Sequence, residues 1–165
     1  MSELDRPGLE ARGLEGFVTI GELRRTGLAD VPWYPGVYLV MRDALGPPDL
    51  VSVSSGGWFK GRDPSVAAEI LRAKWLDNAY IVYIGKADAG ARGGRGLRTR
   101  IGEYLRFGNG EAIGHWGGRY LWHLADPLKL MIAWKAADPA GPAETQLMNE
   151  FVAEYGQLPF ANLRN

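Results

Sequence analysis

Residues 79–107 gather the side chains best suited to chemistry on an anion. Ala79, Ile81, Val82 and Ile84 form an apolar, largely β-branched run that predicts a buried strand ending at Gly85. A glycine-rich loop follows, and Leu97, Ile101, Tyr104 and Leu105 then recur at helical spacing as far as Phe107. Lys86, Arg92, Arg95, Arg98, Arg100 and Arg106 crowd the loop and the other helix face, opposed only by Asp88 and Glu103. A strand delivering Tyr83 and Lys86 into a basic, glycine-rich turn could hold a phosphate. The same arginines could equally be the solvated face of a surface helix. The rest of the chain has to decide.

Overall composition narrows the classes. The chain carries 19 basic and 19 acidic residues, for a formal net charge of zero, so it is no general polyanion sponge. Any anion site must be local, and residues 86–106 are the one clear basic concentration. Cysteine is absent, which excludes disulfides, thiolate catalysis and cysteine-ligated metals. His115 and His123 are the only histidines, too few for a histidine-rich zinc site. No stretch reaches the apolar length of a membrane span, and the first residues lack secretory character. The expectation is a cytoplasmic protein with no membrane association. At 165 residues, a single domain over 1–165 with one proper core is expected.

The elements that must position these groups can be read in order. Residues 1–16 are polar, glycine-bearing and without period, which predicts a loose tail. Thr19 and Glu22 have capping-box spacing and predict a short helix to Arg25. Pro32 and Pro35 break it. Residues 37–41 predict the first core strand. Asp63 and Pro64 predict a helix start, with apolar spacing running to residue 76. A loop rich in glycine and aromatics, carrying His115 and Arg119, spans 108–122. Residues 129–135 predict a third strand, Pro142 a helix start and Gly156 its end. The expected fold class is α/β, in the α+β sense: a small three-stranded core sheet flanked by helices.

These pieces together resemble the GIY-YIG nuclease superfamily, which includes the incision subunit of bacterial nucleotide excision repair and some homing and restriction endonucleases. Pro35-Gly36-Val37-Tyr38 is similar to the first tripeptide, and Tyr83-Ile84-Gly85-Lys86 to the second with its following lysine. Arg100, before Ile101, resembles the family's helix arginine. Glu144, followed by Leu147, Met148 and Phe151, resembles its metal-binding glutamate; Glu150 lacks that apolar pattern. Pro159-Phe160-Ala161-Asn162 resembles the closing motif and its asparagine. Forty-four residues separate Tyr38 from Tyr83, which implies an insertion over 43–78 between the first two core strands.

The resemblance implies a metal-dependent endonuclease that hydrolyses phosphodiester bonds in DNA. It gives catalytic roles to Tyr38, Tyr83, Arg100, Glu144 and Asn162. A single divalent ion, Mg²⁺ or Mn²⁺, would sit on Glu144. Tyr38 is expected as the base and Tyr83 as the group positioning the water. Lys86, Arg98, Arg119 and His115 are candidates for binding substrate. Two other readings stay open: a non-catalytic nucleic-acid-binding module, and a protein-interaction domain that uses the insertion. A homodimer or a protein partner could supply specificity.

Overall fold

The computed structural model describes residues 2–163, and it begins with a helix that the sequence does not announce. Asp5 caps α1 (Arg6–Ala11), accepting the Gly8 N–H at 2.9 Å, with proline in the first turn. Leu4, Leu9 and Leu14 are all buried. The loose tail expected over 1–16 is therefore corrected. Six helical residues, with Gly8 among them and Gly13 just beyond, are too few to show a period, so burial alone reveals the element.

β1 (Glu15–Thr19) follows, then α2 (Ile20–Thr26), whose cap is the expected one: Thr19 Oγ1 accepts the Glu22 N–H at 3.1 Å. The remaining strands are β2 (Gly36–Met41), β3 (Ile81–Ala87) and β4 (Met131–Ala136). They form one antiparallel sheet in the order β1-β4-β2-β3. The three-stranded expectation is thus corrected to four in an α+β fold. The fourth strand was concealed because its burial does not alternate, and Phe17 at φ 54° breaks its register.

Side-chain alternation gives the sheet two buried faces. Tyr38, Val40, Tyr83, Ile132 and Trp134 pack with α2, with α4 (Leu97–Gly108) and with a kinked 3₁₀ segment (Trp116–His123). Leu39, Met41, Ile81, Ile84 and Ala133 pack on the other side with the leucines around α1 and with α5 (Ala140–Tyr155), through Leu147, Met148 and Phe151. α5 starts two residues before Pro142, because the first helical turn has no intrahelical acceptors for its N–H groups and tolerates proline there. It ends as expected at Gly156, in the left-handed conformation at φ 78°.

Residues 43–78, expected as an insertion, are docked onto the core. Their helix, α3 (Ala68–Lys74), is shorter than the expected 64–76. Asp63 holds only a turn, accepting from the Ser65 N–H at 2.9 Å, and the helix begins after Ala67. His123, fully buried, clasps the insertion with both ring nitrogens: Nδ1 bonds Val51 O at 2.8 Å and Nε2 accepts the Val66 N–H at 3.0 Å. The C-terminal segment covers the outer edge of β3, with Ala161 N–H on Val82 O at 2.8 Å.

If the N-terminal helix belongs to the cooperative core, Leu9→Ala will lower unfolding free energy by about 2–5 kcal/mol in urea denaturation. A loose tail would leave the midpoint unchanged.

Candidate active site

The candidate site is a cleft of about 550 Å³ along the outer edge of β3, where residues from both sheet faces converge. β3 supplies Tyr83, Ile84, Lys86 and Ala87. The following loop and α4 supply Asp88, Gly90, Arg95, Gly96 and Arg100, and α5 supplies Glu144 and Met148. Gly117, Asn162 and Leu163 complete the lining. An edge strand allows this because its outer side is open to a helix end from above and another from below.

Behind the cleft stands a wall of aromatic rings. Tyr38 and Tyr83 pack with centroids 6.0 Å apart, Tyr83 and Tyr104 at 5.0 Å. The His115 ring stacks on Tyr104 at 3.8 Å, and its Nε2 meets Tyr38 Oη at 2.9 Å. Tyr38 is 0% exposed and Tyr83 8%, so only Tyr83 faces the cleft. Burial raises the pKa of both phenols, that of Tyr38 well above its ordinary value. The structure thus places Tyr38, expected as the base, outside the cleft lining. A fully enclosed phenol touches no attacking water, and its place is behind Tyr83. His115 is likewise enclosed; burial, then the charge of Arg100, hold its pKa well below the usual value. It is a neutral packing partner of Tyr38 and lies outside the cleft lining.

Arg100 reaches the cleft from α4 with its guanidinium held by Glu103 Oε2 and Gly114 O, each at 3.1 Å. Burial works against its charge, but Tyr38, Tyr83 and Glu103 outweigh it and leave its pKa raised. Across the cleft, half-buried Glu144 has its pKa raised by burial, against the pull of Lys86 and with a push from Asp88. Lys86 itself lies 3.2 Å from Asp88. Glu150, by contrast, is engaged elsewhere, with Arg12 at 2.6 Å.

The remaining expected residues fall into different roles. Asn162 lines the cleft, yet its amide is clamped to one residue of β3. Oδ1 accepts the Ile84 N–H and Nδ2 donates to Ile84 O, both at 2.9 Å. It acts as a peptide group added to the strand edge. Arg98 turns away from the cleft: Nε donates to Val31 O at 2.7 Å, Nη2 to Ala29 O at 2.8 Å, and the guanidinium lies on Trp33. Arg119 stands outside the lining, on Trp116 and Tyr120. Glu103, Tyr104 and Asp88 belong to the site and were not singled out for it. Their signal was present in the spacing, since Glu103 and Tyr104 lie three and four residues after Arg100 on one helix.

Two measurements probe this arrangement. Asn162→Ala leaves the buried Ile84 N–H and C=O unpaired, so stability will fall by roughly 1–3 kcal/mol or more in urea titration. For His115 the folded pKa lies below the unfolded one, so its contribution is complete above the unfolded value and is lost as pH falls through the folded value. The urea midpoint will therefore decline between about pH 7 and about pH 5, and His115→Gln will decline less over the same interval.

Compared with known proteins, the chain matches no family model, no curated protein sequence and no solved structure.

Proposed function

We propose that the chain is a metal-dependent endonuclease of the GIY-YIG kind, hydrolysing phosphodiester bonds in DNA. One observation carries the reading: Tyr83, Lys86, Arg100 and Glu144, drawn from three elements, line the same cleft. A phenol, two cations and a carboxylate are the groups needed to orient water, grip a phosphate and hold a hard ion.

The donor set fits Mg²⁺ or Mn²⁺. The half-buried carboxylate of Glu144, with Asp88 on the same lining, suits a hard cation that keeps most of its waters. Glu144 would hold the ion, which when bound would neutralise charge on phosphate oxygens and acidify a water. Arg100 keeps N–H donors beyond its bonds to Glu103 and Gly114, and its planar fork suits a phosphate. It would stabilise charge that develops at the scissile group. Lys86 adds a flexible point charge at the same mouth.

Tyr83 is the group that would touch the water. Burial raises its pKa despite Arg100, so the phenol is protonated near neutral pH and orients the water through hydrogen bonds. Further positive charge in the cleft is needed before it can accept a proton. Tyr38, tilted against it from behind and tied to His115, fixes its position.

A second reading is a non-catalytic nucleic-acid-binding module, favoured by the enclosure of Tyr38 and the clamping of the Asn162 amide on Ile84, which leave two of the expected catalytic groups in packing roles. Supercoiled plasmid nicking separates the two. Wild type will nick with Mg²⁺ or Mn²⁺, Glu144→Ala will not, and Tyr83→Phe will fall by about 10²-fold or more. Salt-sensitive binding without nicking by wild type would favour the module instead. Because the pKa of Glu144 is raised, protons compete with the ion over a wider acid range. Less metal will therefore be needed for half-maximal nicking as pH rises through that raised value.

A further inference from the structure

Ion pairing moves the available positive charge away from where the sequence concentrates it. Within residues 86–106, Lys86 pairs with Asp88, Arg95 and Arg100 share Glu103, and Arg106 pairs with Glu111. Arg98 is turned onto backbone carbonyls. Of the six cations there, four are paired with Asp88, Glu103 or Glu111, Arg98 is held by carbonyls, and Arg92 has no carboxylate within salt-bridge distance among the described residues.

Many cations elsewhere in the described residues also lack a carboxylate partner, and three of them cluster in one place. Among the described residues no carboxylate lies within salt-bridge distance of Arg62, Lys74 or Arg119. Two of them come from the insertion and one from the 3₁₀ segment, yet they gather on adjoining aromatic rings. The guanidinium carbons of Arg62 and Arg119 lie 5.1 and 4.5 Å from the centre of Trp116. Arg119 also lies 5.3 Å from the centre of Tyr120, and Lys74 Nζ lies 5.7 Å from it.

This step of rings and cations continues the cleft. Gly117, directly after Trp116, lines the cleft, and Lys74 donates to the backbone oxygen of Asn162, another lining residue. Like charges drawn to one indole repel each other, and the pKa of Arg119 is lowered by burial and further by Arg62. An anion lying between them would relieve that repulsion. Arg119 commits one donor to Trp116 O at 3.1 Å, and a guanidinium lying over an aromatic face keeps its other edge N–H groups for a phosphate.

We propose that Arg62, Lys74 and Arg119 form a phosphate-binding step that carries the sugar–phosphate backbone of a nucleic-acid strand from the cleft across Trp116. The ligand class rests on the nuclease reading; the position rests on the gathering of these three cations on the adjoining rings of Trp116 and Tyr120. The insertion then has a binding task, extending the footprint beyond the scissile phosphate. A chain with zero net charge could by this means hold a polyanion locally.

The test is fluorescence anisotropy with a labelled DNA oligonucleotide, single-stranded and duplex, in EDTA across a salt series. The double variant Arg62→Ala/Arg119→Ala is expected to bind about tenfold or more weakly at low salt. Its slope of log K against log salt on duplex should drop by about two units, near 0.9 for each lost contact. Arg62→Lys/Arg119→Lys, which keeps both charges, should retain most of the slope, and Arg106→Ala should change little. Matching melting temperatures exclude unfolding as the cause.

Wild-type affinity and slope in the alanine double variant would overturn the proposal. So would an equal loss in Arg106→Ala, or no binding by wild type at low salt. Cleavage by wild type and Glu144→Ala is scored separately, so the nuclease reading can fail while the binding step stands, and the reverse.

Discussion

The site depends on how closely one ring approaches one strand. In the β2–β3 register Tyr38 lies opposite Gly85, and the ring lies so close that a Cβ on Gly85 would meet its Cζ at 2.7 Å. Glycine at 85 is therefore a steric requirement. With Tyr38 settled there, its hydroxyl reaches His115, His115 stacks on Tyr104, and Tyr104 belongs to the helix that carries Arg100. Tyr104 in turn donates its hydroxyl to Gly118 O at 2.6 Å, which ties the 3₁₀ segment to the same wall. A larger residue at 85 would displace the whole stack. The two tyrosines thus differ in kind: one builds the wall and the other presents its face to the cleft.

A second constraint comes from the edge of the sheet. β3 has no strand on its outer side, and an exposed edge leaves backbone groups unpaired. Here the C-terminal segment answers them, with Ala161 on Val82 and the Asn162 amide on Ile84. The closure stops short of Lys86, so the end of β3 stays open and becomes the cleft floor. Protection of the edge and access to the site are divided along a single strand. Lys74 from the insertion adds its own bond to Asn162 O, which couples the insertion to that closure.

Electrostatics follow the same economy of local pairing. Glu103 faces Arg95 and Arg100 together, and its half-buried position strengthens both contacts relative to solvent-exposed pairs. That sharing holds Arg100 in one orientation while leaving donors free. Glu144, on the opposite helix, carries the raised pKa of a carboxylate taken partly out of water. Opposite charges thus face each other across the cleft without forming a direct ion pair.

Much of this was written locally. The apolar runs around Tyr38 and Tyr83, the Thr19 cap, the Gly156 stop and the helical placement of Glu144 on the side of Leu147 and Met148 each follow from neighbours in the chain. Local steric and hydrogen-bonding rules act over a few residues, so spacing suffices to read them. What lies far apart in sequence had to be decided by packing. Whether Tyr38 sees water depends on Tyr83, His115 and Tyr104 closing around it, and whether Arg98 is free depends on carbonyls at 29 and 31. The strand at Glu15–Thr19 exists because β4 offers it an edge, not because its residues alternate. Sequence alone determined which residue types could do phosphate chemistry and on which elements they ride. The tertiary structure decided which of them share a cleft, because burial and charge pairing are properties of neighbours in space.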